Sequence, residues 1–167
     1  LYPRLLIITD AAVNIAPDLE AKADIIRNAI RLAGAIGIDL PRVAILSAVE
    51  TVTPKLTSTL DAAALCKMAD RGQIMGGILD GPLAFDNAVS EAAAKAKGIV
   101  SGVAGRADIL VVPDIESGNM LAKQLALLGG AESAGIVLGL RVPVALTSRS
   151  DDATSRLASA ALLRLTA

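Results

Sequence analysis

The chain has 167 residues, 53% of them hydrophobic and 20% charged, and its 16 Lys plus Arg against 17 Asp plus Glu leave a formal net charge of -1. One ordinary domain with a real core is expected, because that length needs no disulfide or metal staple. A near-neutral balance with one Phe, one Tyr and no Trp argues against nucleic-acid binding, and the absence of any His removes Ser-His-Asp and Cys-His catalysis and histidine zinc sites.

In chain order, five short runs rich in β-branched residues read as strands: Leu5 to Thr9, Val43 to Ser47, Ile74 to Leu79, Ile109 to Val112 and Val142 to Thr147. Their nearly continuous apolarity predicts burial on both faces, as in a parallel sheet. Between them run segments of helical period. Pro17 and Asp18 open the first, in which Leu19, Ala23, Ile26, Ile30 and Ala33 recur at steps of three or four before Gly37. Thr59 to Arg71, Asp86 to Lys97, Gly118 to Leu128 and Asp151 to Leu165 follow as helices, and Glu50 to Ser58 and Ser101 to Arg106 as loops. The alternation predicts an α/β fold, a mostly parallel sheet with helices on both faces.

Cys66 stands alone in an apolar stretch, reads as core and fits a reducing compartment. No apolar run approaches the roughly 18 residues of a membrane span. The chain opens on Leu1 with no basic segment leading into an apolar one, so no secretory leader is read, a cytoplasmic location is expected, and the sequence reads as a piece of a longer polypeptide.

Each expected strand ends in a polar group before a helix begins, at the edge where open α/β sheets gather ligands. The endings are Thr9-Asp10 with Asn14, Ser47 with Glu50, Asp80-Gly81, Asp114 with Ser117-Gly118-Asn119, and Thr147-Ser148-Arg149. A single crevice is expected to collect them. Asp, Ser and Asn at these places also serve as helix N-caps, which is the plainer use. Arg149 is different, since a cation at a helix start opposes the macrodipole; Ser148-Arg149 reads as a pair aimed at an anion, with surface pairing to Asp151 or Asp152 as the alternative. No P-loop and no GxGxxG following a strand is present, so triphosphate and dinucleotide readings are weak. Asp10, Asp80 and Asp114 converging on Mg²⁺ remains an open alternative.

At these same strand ends the chain resembles the phosphate acetyltransferase and phosphate butyryltransferase family. The stretches that carry the likeness are Ile8-Thr9-Asp10-Ala11-Ala12-Val13-Asn14-Ile15-Ala16-Pro17, Val43 to Ser47, Gly77-Ile78-Leu79-Asp80-Gly81-Pro82-Leu83-Ala84-Phe85-Asp86, Val103 to Leu110, Pro113 to Asn119 and Ser148-Arg149. The resemblance implies an isocitrate/isopropylmalate dehydrogenase-like family fold, of which this chain corresponds to the C-terminal half. It implies transfer of an acetyl or butyryl group between coenzyme A and inorganic phosphate, by way of an acyl phosphate, with no tightly bound cofactor or metal, in a homodimer.

Carried onto this sequence, the family's Ser-Arg pair falls on Ser148 and Arg149, with Arg149 expected on the phosphoryl group and Ser148 donating to developing charge. Acetyl-specific members carry Cys and Asp where this chain has Asp151 and Ser155, a departure toward the butyryl type that leaves Asp151 or Asp152 as substitute base. Asp10, Asn14, Asp80, Gly81, Asp114, Gly118 and Asn119 are expected to bind substrate. About residues 148–167 are expected to pack as an appendage of the absent N-terminal domain, and an additional enoyl-CoA hydratase-type domain is an open alternative. Two rival readings are a noncatalytic dimerisation or regulatory module built on the Ala- and Leu-rich helices, and a metal-dependent dehydrogenase of the isocitrate or isopropylmalate type.

Overall fold

A computed structural model describes residues 2–142 and 144–166. Four strands, β1 (Ile7–Thr9), β2 (Arg42–Leu46), β3 (Ile78–Leu83) and β4 (Ile109–Val111), form one parallel sheet in the order β1-β4-β2-β3. Ile109 of β4 faces Ile7 on one side and Val43 on the other, so β4 and β2 are interior strands. Because side chains alternate along a strand, β2 sends Val43 and Ile45 to one face and Ala44 and Leu46 to the other. The first face is covered by α1 (Leu19–Ala35) and α2 (Thr57–Asp70), whose Ala23, Ile26, Ala29, Ala33, Ala62 and Leu65 pack on Val43, Ile45, Ile109 and Val111. Against the second lie α3 (Phe85–Val89), α4 (Glu91–Ala96) and α5 (Ile115–Leu127), through Ala88, Ala94 and Leu121. The α/β layering read from the sequence is what forms.

The helix starts follow their caps. Asp18 Oδ1 accepts from the Ala21 amide at 2.9 Å, and Asp114 Oδ1 accepts from the Ser117 amide at 2.8 Å, which places the start of α5 three residues ahead of the predicted Gly118. Ser90 divides the predicted helix Asp86 to Lys97: its extended backbone (φ -125°, ψ 113°) ends α3, and its Oγ accepts from the Ala93 amide at 3.2 Å to open α4.

Two strand expectations are corrected. The run Ile74 to Leu79 does not form a strand at Ile74, which is instead a buried plug beyond α2; Gly76, at φ +86°, and Gly77 turn the chain, and β3 begins at Ile78. Val142 to Thr147 does not join the parallel sheet. There Val144–Ala145 (β6) pairs antiparallel with Ile136–Val137 (β5), which the sequence reading missed, and Pro143 lies outside the described residues. Val142 and Val144 are exposed, so a short apolar run here did not mean burial.

This hairpin and α6 (Ala153–Thr166) form a small terminal unit, tied by the Gly135 amide donating to Ser159 Oγ at 3.0 Å. Gly139 lets the unit come close to Asn28 of α1, since a Cβ there would lie 2.9 Å from Asn28 Nδ2. Neither hydrophobic core cluster draws on it, and Leu157 of α6 is 72% exposed.

Candidate active site

The residues predicted at the ends of β1 and β4 come together because those strands are neighbours. After the cis Thr9–Asp10 peptide, Asp10 closes a tight turn: Oδ1 accepts from the amides of Ala12 at 2.9 Å and Val13 at 3.0 Å, and Oδ2 from the Asn14 amide at 2.8 Å and Asn14 Nδ2 at 2.6 Å. Burial by itself pushes the Asp10 carboxyl up, but these donors outweigh it and hold the group below the usual carboxylate value. The turn rests on the first turns of α5. The Ile115 amide donates to the Ile15 carbonyl at 3.0 Å, Asn119 Nδ2 reaches the Ala11 carbonyl at 3.3 Å, and Gly118 admits the Asp10 carbonyl so closely that a Cβ would stand 2.8 Å from it. Asp114 accepts from both the Ser117 amide and, at 2.7 Å, the Ser117 hydroxyl, and these bonds hold its carboxyl low. Asp10, Asn14, Asp114, Gly118 and Asn119 thus form one block, and the polar bonds seen within it build the edge itself.

Asp80 and Gly81 do not join that block. With β3 running to Leu83, Asp80 lies mid-strand opposite Ala44, its Oδ1 accepting from the Gly81 amide at 2.8 Å. Gly81, ahead of the cis Pro82 bond, is pressed between β2 and α2: a Cβ would meet Ile45 O at 2.8 Å and Ala62 Cβ at 3.2 Å. Since β3 and β1 are opposite edges of a four-stranded sheet, they stand roughly 14 Å apart at normal strand spacing. The endings therefore do not all come together in one block. The same separation removes the convergence that a metal on Asp10, Asp80 and Asp114 would need, and among the described residues no three His, Cys, Asp or Glu side chains group as metal ligands.

Beyond β2 the sequence reading saw Ser47 and Glu50 but not their partners. Ser47 Oγ meets Ser58 Oγ at 2.8 Å, and Glu50 accepts from Lys97 Nζ at 2.6 Å and from Asn87 Nδ2 at 2.5 Å. Asn87 is fully buried, and its Oδ1 has no partner among the described residues. Lys22 of α1 and Asp61 of α2 were also missed; they pair at 2.6 Å with 7% and 19% of their side chains exposed. The only signal in the sequence was a Lys on the apolar side of the α1 periodicity.

Ser148 and Arg149 sit in the turn between β6 and α6. The Ser148 amide donates to Asp151 Oδ2 at 2.6 Å, Ser148 Oγ lies 3.0 Å from Ser150 Oγ, and Asp152 Oδ1 caps α6 by accepting from the Ser155 amide at 2.8 Å. The Ser155 amide and side chain hold the Asp152 carboxyl low. Both neighbouring carboxylates are thus engaged with backbone amides, and among the described residues Arg149 makes no ion pair or side-chain hydrogen bond, so the surface pairing with Asp151 or Asp152 is not what forms. No hydrogen bond among the described residues links Ser148, Arg149 or Asp151 to the Asp10 block.

Residues 2–163 match the family described as phosphate acetyl/butaryl transferase. The chain belongs to this family. It is 67% identical over 160 residues to the phosphate acetyltransferase of Rhizobium meliloti, covering 96% of this chain and 51% of that protein. With the probable phosphate butyryltransferase of Bacillus subtilis it shares 52% identity over 161 residues, 96% of this chain and 54% of the relative. In structure it is similar to the branched-chain phosphotransacylase of Enterococcus faecalis V583, at TM-score 0.85 and 39% identity, over 95% of this chain and 57% of that one. The chain spans about half the length of the curated relatives it matches.

Two concavities on the surface of this phosphate acetyl/butyryl transferase chain lie away from these residues. One of about 520 Å³ is lined by Asp18, Leu19, Glu20, Ala23, Asp24, Arg27 and Met68, and one of about 340 Å³ by residues of α4 and the 99–106 loop. Neither contains a predicted site residue. The family member's single thiol is not poised for chemistry: burial pushes Cys66 up to about 12, and its Sγ points at the Gly81 carbonyl, 3.7 Å away.

Proposed function

We propose that this chain is the C-terminal half of a phosphate acyltransferase that moves an acetyl or butyryl group between coenzyme A and inorganic phosphate, in an isocitrate/isopropylmalate dehydrogenase-like fold. The observation that carries the reading is that Arg149, next to Ser148 in an exposed turn whose carboxylates are bound to amides, makes no ion pair among the described residues. In acyl transfer the coenzyme A sulfur attacks the carbonyl carbon of an acyl phosphate. The C–S bond forms, the C–O bond to phosphorus breaks, and phosphate departs with the negative charge. Arg149 pairs with the phosphoryl oxygens, and Ser148 donates to the charge that develops on oxygen. The thiol proton goes to Asp151, the carboxylate that accepts from the Ser148 amide, while Asp152 serves as the cap of α6.

Asp10, Asn14, Asp114, Gly118 and Asn119 shape the rim that substrate approaches, and Asp80 and Gly81 line the β3 side. Two strands of two residues and one helix cannot bury a core of their own, so the unit carrying Ser148 and Arg149 packs, in the full-length protein, as an appendage of the absent N-terminal domain. The full-length enzyme works as a homodimer in the cytoplasm.

The test is acyl transfer by the full-length protein with acetyl and butyryl phosphate. Arg149→Ala is expected to lower kcat/KM by about 10²-fold or more, as loss of a charge-stabilising donor does. Unchanged kinetics would overturn the assignment.

A further inference from the structure

Arg149 can meet a phosphoryl group in a fixed geometry only if the turn that carries it is held in one shape, yet no residue from 148 to 152 is buried. Packing does not hold this turn. In the β5–β6 hairpin and α6 around it, one residue is buried among those described, and it is a serine, Ser159, 1% exposed. A buried hydroxyl is costly unless its bonding capacity is used, and here it is used twice. Ser159 Oγ accepts from the Gly135 amide at 3.0 Å and donates to the Ser155 carbonyl at 2.8 Å. Each partner leads to one end of the turn. On the strand side the Leu146 amide donates to the Gly135 carbonyl at 3.0 Å, and on the helix side the Ser155 amide donates to Asp152 Oδ1 at 2.8 Å. Residues 146 and 152 are thereby joined through a single hydroxyl, with Ser148 and Arg149 between them. The strand side is close-fitting, since a Cβ at Gly135 would collide with the Leu146 carbonyl. An apolar contact would hold hairpin and helix together without fixing their angle, whereas hydrogen bonds have a preferred direction.

We propose that Ser159 is a positioning residue for acyl transfer: by tying the hairpin to α6 it sets the shape of the turn that offers Arg149 to the phosphoryl group of an acyl phosphate. The inference rests on the acyltransferase reading above, and it gives Ser159 no contact with substrate. Because Ser159 acts through Arg149, its effect depends on Arg149 being present.

The test is a double-mutant cycle in the full-length protein, with coenzyme A and acetyl or butyryl phosphate as substrates. Ser159→Ala is expected to lower kcat/KM for acyl phosphate about tenfold or more, as misplacement of a binding group does. When Arg149 is already Ala, the same change is expected to cost less than about twofold, because residues that act as a unit are not additive. No change in Ser159→Ala alone overturns the proposal, and so does an equal loss in both backgrounds, which is what a general loss of folded protein gives. Should Ser159→Ala fail to fold, Ser159→Cys takes its place in the cycle with the same outcomes, since a thiol fills the space but is a weak donor and acceptor. Unchanged kinetics in Arg149→Ala would overturn the reading beneath, and this inference with it.

Discussion

Gly118 and Asp10 meet backbone to backbone: a Cβ on Gly118 would stand 2.8 Å from the Asp10 carbonyl oxygen and 2.7 Å from Val112 Cγ2. Neither neighbour can yield without moving β4 or the turn after β1. Gly118→Ala is therefore expected to cost about 1–3 kcal/mol, the usual range for overpacking a dense site. Chemical denaturation would measure it. Because α5 must back away from the 10–15 turn, Asn119 should also lose its bond to the Ala11 carbonyl. A variant as stable as the parent would show that the approach is looser than described.

Asp10 links this turn to pH. Its folded-state pKa is lower than the ordinary 3.8, so its contribution is fully present above the unfolded value and is lost as pH falls through the lower folded one. Asp10→Asn keeps one acceptor oxygen but turns an amide N–H₂ toward donors that now face Asp10. It should destabilise the fold at neutral pH by about 1–3 kcal/mol, the cost of unpaired buried polar groups. The gap to the parent should begin to narrow as pH falls below about 4, where the unfolded chain's carboxylate takes up its proton first, and close as pH passes the lower folded-state value. Denaturation midpoints across the acid range test this, and a gap that stays constant contradicts it.

What the sequence made legible was local. Periodicity and caps placed α1 and α2 closely, and alternation of strands with helices gave the parallel sheet. The strand order was not legible, and it decides the site: only because β4 inserts between β1 and β2 do Asp10 and Asp114 meet, while Asp80 is left at the far edge. The hairpin at Ile136 and Val144 escaped for a related reason. An apolar run of a few residues looks alike whether it is buried in the main sheet or exposed on a small terminal hairpin. Lys22, Asp61 and Asn87 were hidden because a buried charge or amide is recognisable only once its partner from another helix or loop is in place.

Cys66 should be slow to react. With its thiol pushed up to about 12, the thiolate fraction near pH 8 is on the order of 10⁻⁴, against a substantial fraction for a free thiol of pKa about 8.5. Labelling of the folded protein with a chromogenic disulfide is expected to lag a model thiol by a hundredfold or more and to become fast only in denaturant. Rapid stoichiometric labelling of the native chain would contradict the burial described for this side chain.

Asp151 as a proton acceptor is separable by experiment from Asp151 as a brace. Its Oδ2 accepts from the Ser148 amide at 2.6 Å, and Asp151→Asn can keep that bond through its remaining carbonyl oxygen, so the turn should hold. If the carboxylate takes the coenzyme A proton, the variant loses about 10²-fold or more in kcat near pH 7, as general-base removal does. Above about pH 8.5 the thiol ionises unaided, and the deficit should shrink with rising pH. A pH profile of acyl transfer by parent and variant reads this directly. A deficit that is the same at every pH would mean that Asp151 serves only to hold Ser148 in place, and that the proton leaves to solvent or to a residue outside this chain.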